Sequence, residues 1–389
     1  MRRLPSAILA ALLAALVLAA TPAGAAPRQV PPAWLGVTAV GPMLWAGTDI
    51  DAEMDRMVVN GVETIRLPFD WILVQPYRTA AAVPGNERSR FRDVRGVPSD
   101  FSRYDRLVGA AARHGIHVLP VVVDAPAWSR VRASDAGSPP RDPRDYAAFL
   151  RALVERYGPN GTLWAEQPGL PRLAIRDWQL WNEPSINDRW RTQPFARSYV
   201  ALLRATRPVI KRADPGARVV LAGLPNFSWR DLESIYRAGG RPHFDVAAIH
   251  PYTFLVRNVV RIVQLNRHVM TKYSDQRKFT MLTEVAWSAG RGIVRDNPGF
   301  ETLTEAGQAA RIAEALPALA RVRLRYRISR VYWYDWLSPE AGSPNAFDYT
   351  GLRKLVDGRI VNRPAAGAYR RAAQRLEGCV KAEVATRCQ

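Results

Sequence analysis

Eight short apolar runs, each separated from the next by a segment with helical spacing, limit what this chain of 389 residues can fold into. The runs cover residues 34–39, 63–71, 117–126, 175–184, 217–224, 244–253, 279–288 and 328–337. They are rich in β-branched residues, and most are apolar at consecutive positions. Val118-Leu119-Pro120-Val121-Val122-Val123 is an example, and such a run suits a strand covered on both faces. The intervening segments 49–60, 100–114, 142–157, 194–213, 229–238, 258–274, 304–326 and 364–376 read as helices. Asp100 opens one with a Ser-Asp cap signal, and Gly115 ends it as a residue suited to a left-handed turn. Asp142 and Pro143 supply an N-cap and a first-turn proline for the next. Strict alternation predicts an α/β chain folded as one (β/α)8 TIM barrel. The longest irregular stretches, 72–98, 127–141 and 291–303, all follow strand C-termini, the face on which such barrels carry their sites.

The two ends are set apart. Arg2 and Arg3 precede an apolar stretch from Leu4 to Ala20, and Ala23-Gly24-Ala25 offers small residues before Pro27. This pattern predicts a signal peptide over 1–26 and a secreted or cell-envelope protein, with an uncleaved anchor as the alternative. The catalytic unit is then expected over 27–378, followed by a tail at 379–389. Cys379 and Cys388 are the only cysteines and would close a small loop there. No later stretch reaches the length of an uncharged membrane span.

The formal charge is +20, from 55 Lys+Arg against 35 Asp+Glu. Biased codon usage accounts for such an Arg-rich balance as well as an anionic or cell-wall polymer does. A nucleic-acid partner fits poorly, because only five residues are Lys and no long basic run occurs. The five histidines lack metal-ligand spacing, so no metal and no organic cofactor is expected.

The chemistry lies in two strand ends. Trp178-Gln179-Leu180-Trp181-Asn182-Glu183-Pro184 closes the fourth run, and Leu282-Thr283-Glu284-Val285-Ala286-Trp287 the seventh. Glu183 and Glu284 are 101 residues apart, or three βα steps of roughly 33 residues, which sets their strands nearly opposite across a barrel. Facing glutamates roughly 5–5.5 Å apart are what a retaining glycosidase needs. One attacks the anomeric carbon, while the other protonates the leaving oxygen and then activates water.

At these residues the sequence resembles the clan A retaining glycoside hydrolases, in the tone of family 39 and bacterial family 5-like enzymes. The resemblance implies Glu183 as acid/base and Glu284 as nucleophile. It also implies that Arg66 supports the nucleophile, Asn182 bonds the sugar 2-hydroxyl, and His250 and Tyr252 of Ile249-His250-Pro251-Tyr252 flank the carboxylates. Trp336 and Trp333 are expected as an aromatic floor beneath the sugar, with Trp128 and Trp181 as further stacking surfaces. Asp70, Asp124 and Asp335 read equally as substrate contacts or as partners of site residues. Desolvation and the Glu284 charge are expected to raise the Glu183 pKa. The whole predicts hydrolysis of a polysaccharide or glycoconjugate. A non-catalytic carbohydrate-binding barrel and a transglycosidase are the alternatives.

Overall fold

All eight runs form strands: β1 (Leu35–Thr38), β2 (Thr64–Asp70), β3 (His117–Val123), β4 (Asp177–Leu180), β5 (Arg218–Val220), β6 (Val246–Ile249), β7 (Phe279–Val285) and β8 (Ile328–Trp333). In the computed structural model they close a parallel barrel in chain order, with β8 hydrogen-bonded to β1. Eight helices alternate with them: α1 (Ile50–Val59), α2 (Ser102–Arg113), α3 (Pro143–Tyr157), α4 (Phe195–Ala213), α5 (Ser228–Arg237), α6 (Val256–Lys272), α7 (Glu305–Tyr326) and α8 (Pro364–Glu377). The structure describes residues 27–294, 300, 302–339 and 342–389. The predicted signal segment and part of the stretch 291–303 lie outside the described residues. Among the described residues no helix is long and apolar enough to cross a membrane.

Local chemistry accounts for the helix ends. Asp142 accepts from the Arg144 N–H, with Pro143 in the first turn of α3. Gly115 has φ +65° after α2, a backbone state that glycine adopts freely. Asp100 acts slightly upstream of the expected position, its carboxylate accepting the Ser102 N–H at 2.9 Å.

Two apolar layers follow from the period-two alternation of buried strands. Leu119, Val220, Val246, Ala248, Met281 and Tyr332 fill the barrel interior. A larger cluster, including Trp34, Trp71 and Trp178, packs between strands and helices. At the C-terminal end of the barrel the interior turns polar, with buried Arg66, Gln179 and Thr283. At the opposite end, Lys381 pairs with Glu63 and with Glu377. The Cys379–Cys388 disulfide closes the loop that carries Lys381.

Two small sheets were not anticipated. A hairpin of Arg92–Val94 and Val97–Ser99 sits within the stretch expected to be irregular after β2. A three-stranded sheet of Leu337–Ser338, Arg353–Val356 and Arg359–Asn362 follows β8.

Candidate active site

A cavity of about 660 Å³ opens at the C-terminal end of the barrel. Arg66, Asn182, Glu183, Tyr252 and Glu284 all line it. Glu284 is the penultimate residue of β7 and 7% exposed. Its Oε1 accepts from Arg66 Nη1 at 2.8 Å and its Oε2 from the Tyr252 hydroxyl at 2.5 Å. Glu183 lies just past β4, where the chain turns sharply. Trp181 and Glu183 have φ +72° and +46°, a left-handed state that costs non-glycine residues about 1–3 kcal/mol and gathers at functional sites. The Glu183 N–H donates to the Gly223 carbonyl at 3.1 Å, which pins the turn to the end of β5.

Arg66 organises the floor. Its guanidinium donates to Glu284, to Gln179 Oε1 at 2.6 Å and to Asn182 Oδ1 at 2.7 Å. An arginine only donates, so the orientation of both amides follows. The Gln179 amide nitrogen therefore donates to the Leu221 carbonyl at 3.1 Å and to Thr283 Oγ1 at 3.3 Å. The Thr283 hydroxyl hydrogen is then free for His250 Nε2, 3.0 Å away. With Nε2 accepting, the ring proton sits on Nδ1 and is donated to Glu183 Oε1 at 2.8 Å. Every polar group of this buried chain is satisfied by a neutral imidazole. The ring needs room: a Cβ on Gly223 would lie 1.8 Å from His250 Nε2.

The electrostatics differ from the sequence expectation at Glu183. Burial does push its carboxyl up. The hydrogen bond from His250, with the Arg189 and Arg66 charges, outweighs burial and holds it below the usual carboxylate range. Burial, followed by the Glu284 charge, pushes the Tyr252 hydroxyl well above its ordinary value, so it stays a donor.

Arg66, Asn182, His250 and Tyr252 are brought together with the two glutamates as expected from sequence. The aromatic floor is not as expected. Trp336 is fully buried and donates its indole N–H to Glu53 at 2.8 Å. Trp333 is 1% exposed, donates to the Thr350 carbonyl at 2.9 Å and stacks on Trp287. Neither lines the cavity. For Trp333 the reason is strand parity: Tyr332 points into the barrel, so Trp333 faces the helices and Tyr334 returns to the cavity, whereas Trp336 lies past the strand with the Arg353 guanidinium 5.9 Å from its ring. Trp128 is also outside the lining, its indole donating to the Gln75 carbonyl and its face covered by Arg78 at 5.1 Å. Trp181 does line the cavity, although it is 2% exposed and packs edge-on against Trp190. The aromatic surfaces offered to a ligand are Tyr252, Tyr334, Phe347 and Trp181.

Asp70 and Asp124 line the cavity at the ends of β2 and β3, whereas Asp335 is buried away from it and accepts from the Thr350 hydroxyl. The long stretch after β2 contributes only Ile72 to the lining. The walls come instead from the loops after β3 and β4, with Arg130, Ala136, Gly137, Asp188 and Arg189. Of the aromatic segment 332–336, Tyr334 is the ring that lines the cavity, while Gln179, Thr283, Arg130 and Arg189 carry no signal in the sequence.

Glu183, His250 and Glu284 each offer one ligand atom, all within 4.8 Å of one another, the spacing of a cation site. Both oxygens of Glu284 are already engaged by Arg66 and Tyr252. A guanidinium 2.8 Å from one prospective ligand opposes a bound cation. The donor set is that of a hydrogen-bonded carboxylate pair.

This fold and site define a class, the (β/α)8 barrel with acidic residues ending strands four and seven. No family model matches the chain, and no curated protein matches it. Solved structures do. A family 39 glycoside hydrolase from the gut symbiont Bacteroides cellulosilyticus WH2 is similar with a TM-score of 0.61 and 19% identity, over 90% of this chain and 65% of that one. The chain therefore spans just under two thirds of that enzyme's length. A monomeric β-xylosidase from Caulobacter crescentus CB15 gives 0.58 and 17%, over 89% and 69%. A family 5 protein from Bifidobacterium longum, in complex with Manβ1-4GlcNAc, gives 0.59 and 16%, over 90% and 79%. The fold is the one that glycoside hydrolases of clan A use.

Proposed function

We propose that the protein is a retaining glycoside hydrolase that cleaves O-glycosidic bonds of a polysaccharide or glycoconjugate by double displacement. The observation that carries this reading is the carboxylate pair. An oxygen of Glu183 and one of Glu284 lie within 4.8 Å of each other. Inverting enzymes need roughly 6.5–9.5 Å to seat a water between their carboxyl groups.

In this mechanism Glu284 attacks the anomeric carbon, oriented by Arg66 and Tyr252. Glu183 gives a proton to the leaving oxygen. Oε1 of Glu183 is engaged by His250, so Oε2 is the oxygen that carries that proton. The neighbours of Glu183 hold it ionised. Substrate must therefore raise its affinity for a proton by excluding water and by cancelling nearby positive charge. Once Glu284 becomes an ester its charge is gone, and Glu183 accepts a proton from water as the glycosyl-enzyme is hydrolysed. The charged, apolar and small-residue order of residues 1–26 supports action outside the cytoplasm.

The test is a panel of aryl glycosides, including xylosides, glucosides and mannosides, run beside Glu284→Gln. Release of aglycone by the parent protein is expected, with a loss of at least about a hundredfold in the variant. Equal rates in both proteins would remove Glu284 from the mechanism.

A further inference from the structure

The cavity wall between β3 and β4 is built as one body. Gly137 in the β3 loop lies so close to the β4 loop that a Cβ would be 2.3 Å from the Asp188 carbonyl oxygen. Arg191 donates its N–H to the Gly137 carbonyl at 3.1 Å and pairs with Asp135 at 3.0 Å. The Trp181 indole donates to the Arg189 carbonyl at 2.8 Å, which ties the same loop to the end of β4.

This wall presents two guanidiniums to the cavity. Arg130 is 7% exposed, and two of its nitrogens are held by the Ala125 and Ala133 carbonyls at 2.6 and 3.2 Å. Its third nitrogen has no partner among the described residues. Arg189 is exposed, and no carboxylate lies within ion-pair distance of it among the described residues. Of the other cavity charges, Arg66 pairs with Glu284, Asp188 with Arg191, and Glu183 accepts from His250. Asp70 and Asp124 share a hydrogen bond, and burial followed by the Asp124 charge pushes Asp70 up to about 6. In mildly acidic solution that pair holds a proton, so Arg130 and Arg189 face about one negative charge there and that of Glu183 beside it. What the wall has to spare is hydrogen-bond donors, the third nitrogen of Arg130 and the guanidinium of Arg189, neither of them paired with a carboxylate among the described residues.

We propose that the cavity binds a saccharide unit bearing a carboxylate, a uronic acid, and that Arg130 and Arg189 hold that carboxylate. The planar fork of a guanidinium matches a carboxylate in two-point contact. The inference deepens the glycosidase reading and rests on it for the reaction, though not for the binding. It also supplies what the acid/base lacks. Arg189 is one of the charges that hold Glu183 ionised. A carboxylate seated on Arg189 cancels that charge and lets Glu183 take up its proton when substrate is in place.

The experiment is calorimetric binding of matched ligands to the full chain: glucuronate, its methyl ester and glucose, with galacturonate, its methyl ester and galactose. At least one uronate is expected to bind about tenfold or more tightly than its ester and its neutral sugar. That preference is expected to shrink on raising NaCl from about 0.05 to about 0.5 M. It is also expected to collapse toward unity in Arg189→Gln. Arg189 is exposed, so the variant should fold, and the methyl esters test the charge without any substitution. Equal binding of uronate and ester overturns the proposal, as does a preference unchanged in Arg189→Gln. Hydrolysis of neutral glycosides with no uronate binding removes this inference and leaves the glycosidase standing. Uronate binding by a protein that hydrolyses no glycoside leaves the inference and removes the glycosidase.

Discussion

His250 is the residue on which the acid/base depends, and its proton is placed by neighbours that never meet the substrate. Thr283 supplies the hydrogen bond to Nε2, and Gln179 frees the threonine hydroxyl to give it. In Thr283→Val that donor is gone. His250 Nε2 is left without a partner and the ring is no longer held in place from behind, so the Nδ1–H donation that keeps Glu183 low weakens. kcat is expected to fall about tenfold or more, with the alkaline limb of the rate profile displaced upward. Thr283→Ser is expected to restore both. A fall in kcat with an unmoved profile would mean that Thr283 only packs. This residue-scale wiring was not legible in the sequence. Glu183, Glu284 and Arg66 stand out as charged groups at apolar strand ends, but Gln179 and Thr283 look like ordinary interior polar positions until the barrel closes.

Strand parity separates Trp333, which faces the helices, from Tyr334, which lines the cavity. Trp336 lies past the strand, and its indole N–H serves a buried carboxylate that also pairs with Arg353. Trp336→Phe is expected to lower unfolding free energy by ~1–3 kcal/mol in urea titration with KM unchanged. Tyr334→Ala is expected to do the reverse, raising KM with little loss of stability. A raised KM in Trp336→Phe would return that ring to the ligand site. The barrel strands were legible because a strand buried on both faces needs an uninterrupted apolar run. The facing of each ring was not, because that same run hides the alternation. The small sheet after β8 did leave a signal. Asp357-Gly358, both at positive φ, make the tight turn between Arg353–Val356 and Arg359–Asn362, and Asp-Gly is a strong hairpin pair. The turn Arg95-Gly96 has the same geometry with an arginine in place of the usual Asn or Asp, so its hairpin was hidden.

At the scale of the whole molecule, buried carboxyl groups set how stability varies with pH. Burial pushes Asp335 up to about 7, against the Thr350 hydrogen bond that lowers it. The folded chain therefore keeps that proton up to about pH 7, while the unfolded chain releases it near 3.8. Its contribution to stability is full below the lower value and is lost as pH rises through the upper one. Asp335→Asn is expected to raise Tm more at pH 8 than at pH 5, and an equal change at both would contradict this. The fold as a whole holds two carboxylates at opposite strand ends against one cavity, and the central claim is that Glu284 becomes covalently glycosylated. The direct measurement is peptide mass spectrometry after treatment with activated 2-deoxy-2-fluoroglycosides of the sugar that the panel identifies. The expected result is one sugar on the peptide containing Glu284, absent in Glu284→Gln. A label on another carboxylate, or none in a protein that hydrolyses the parent glycoside, would contradict the account.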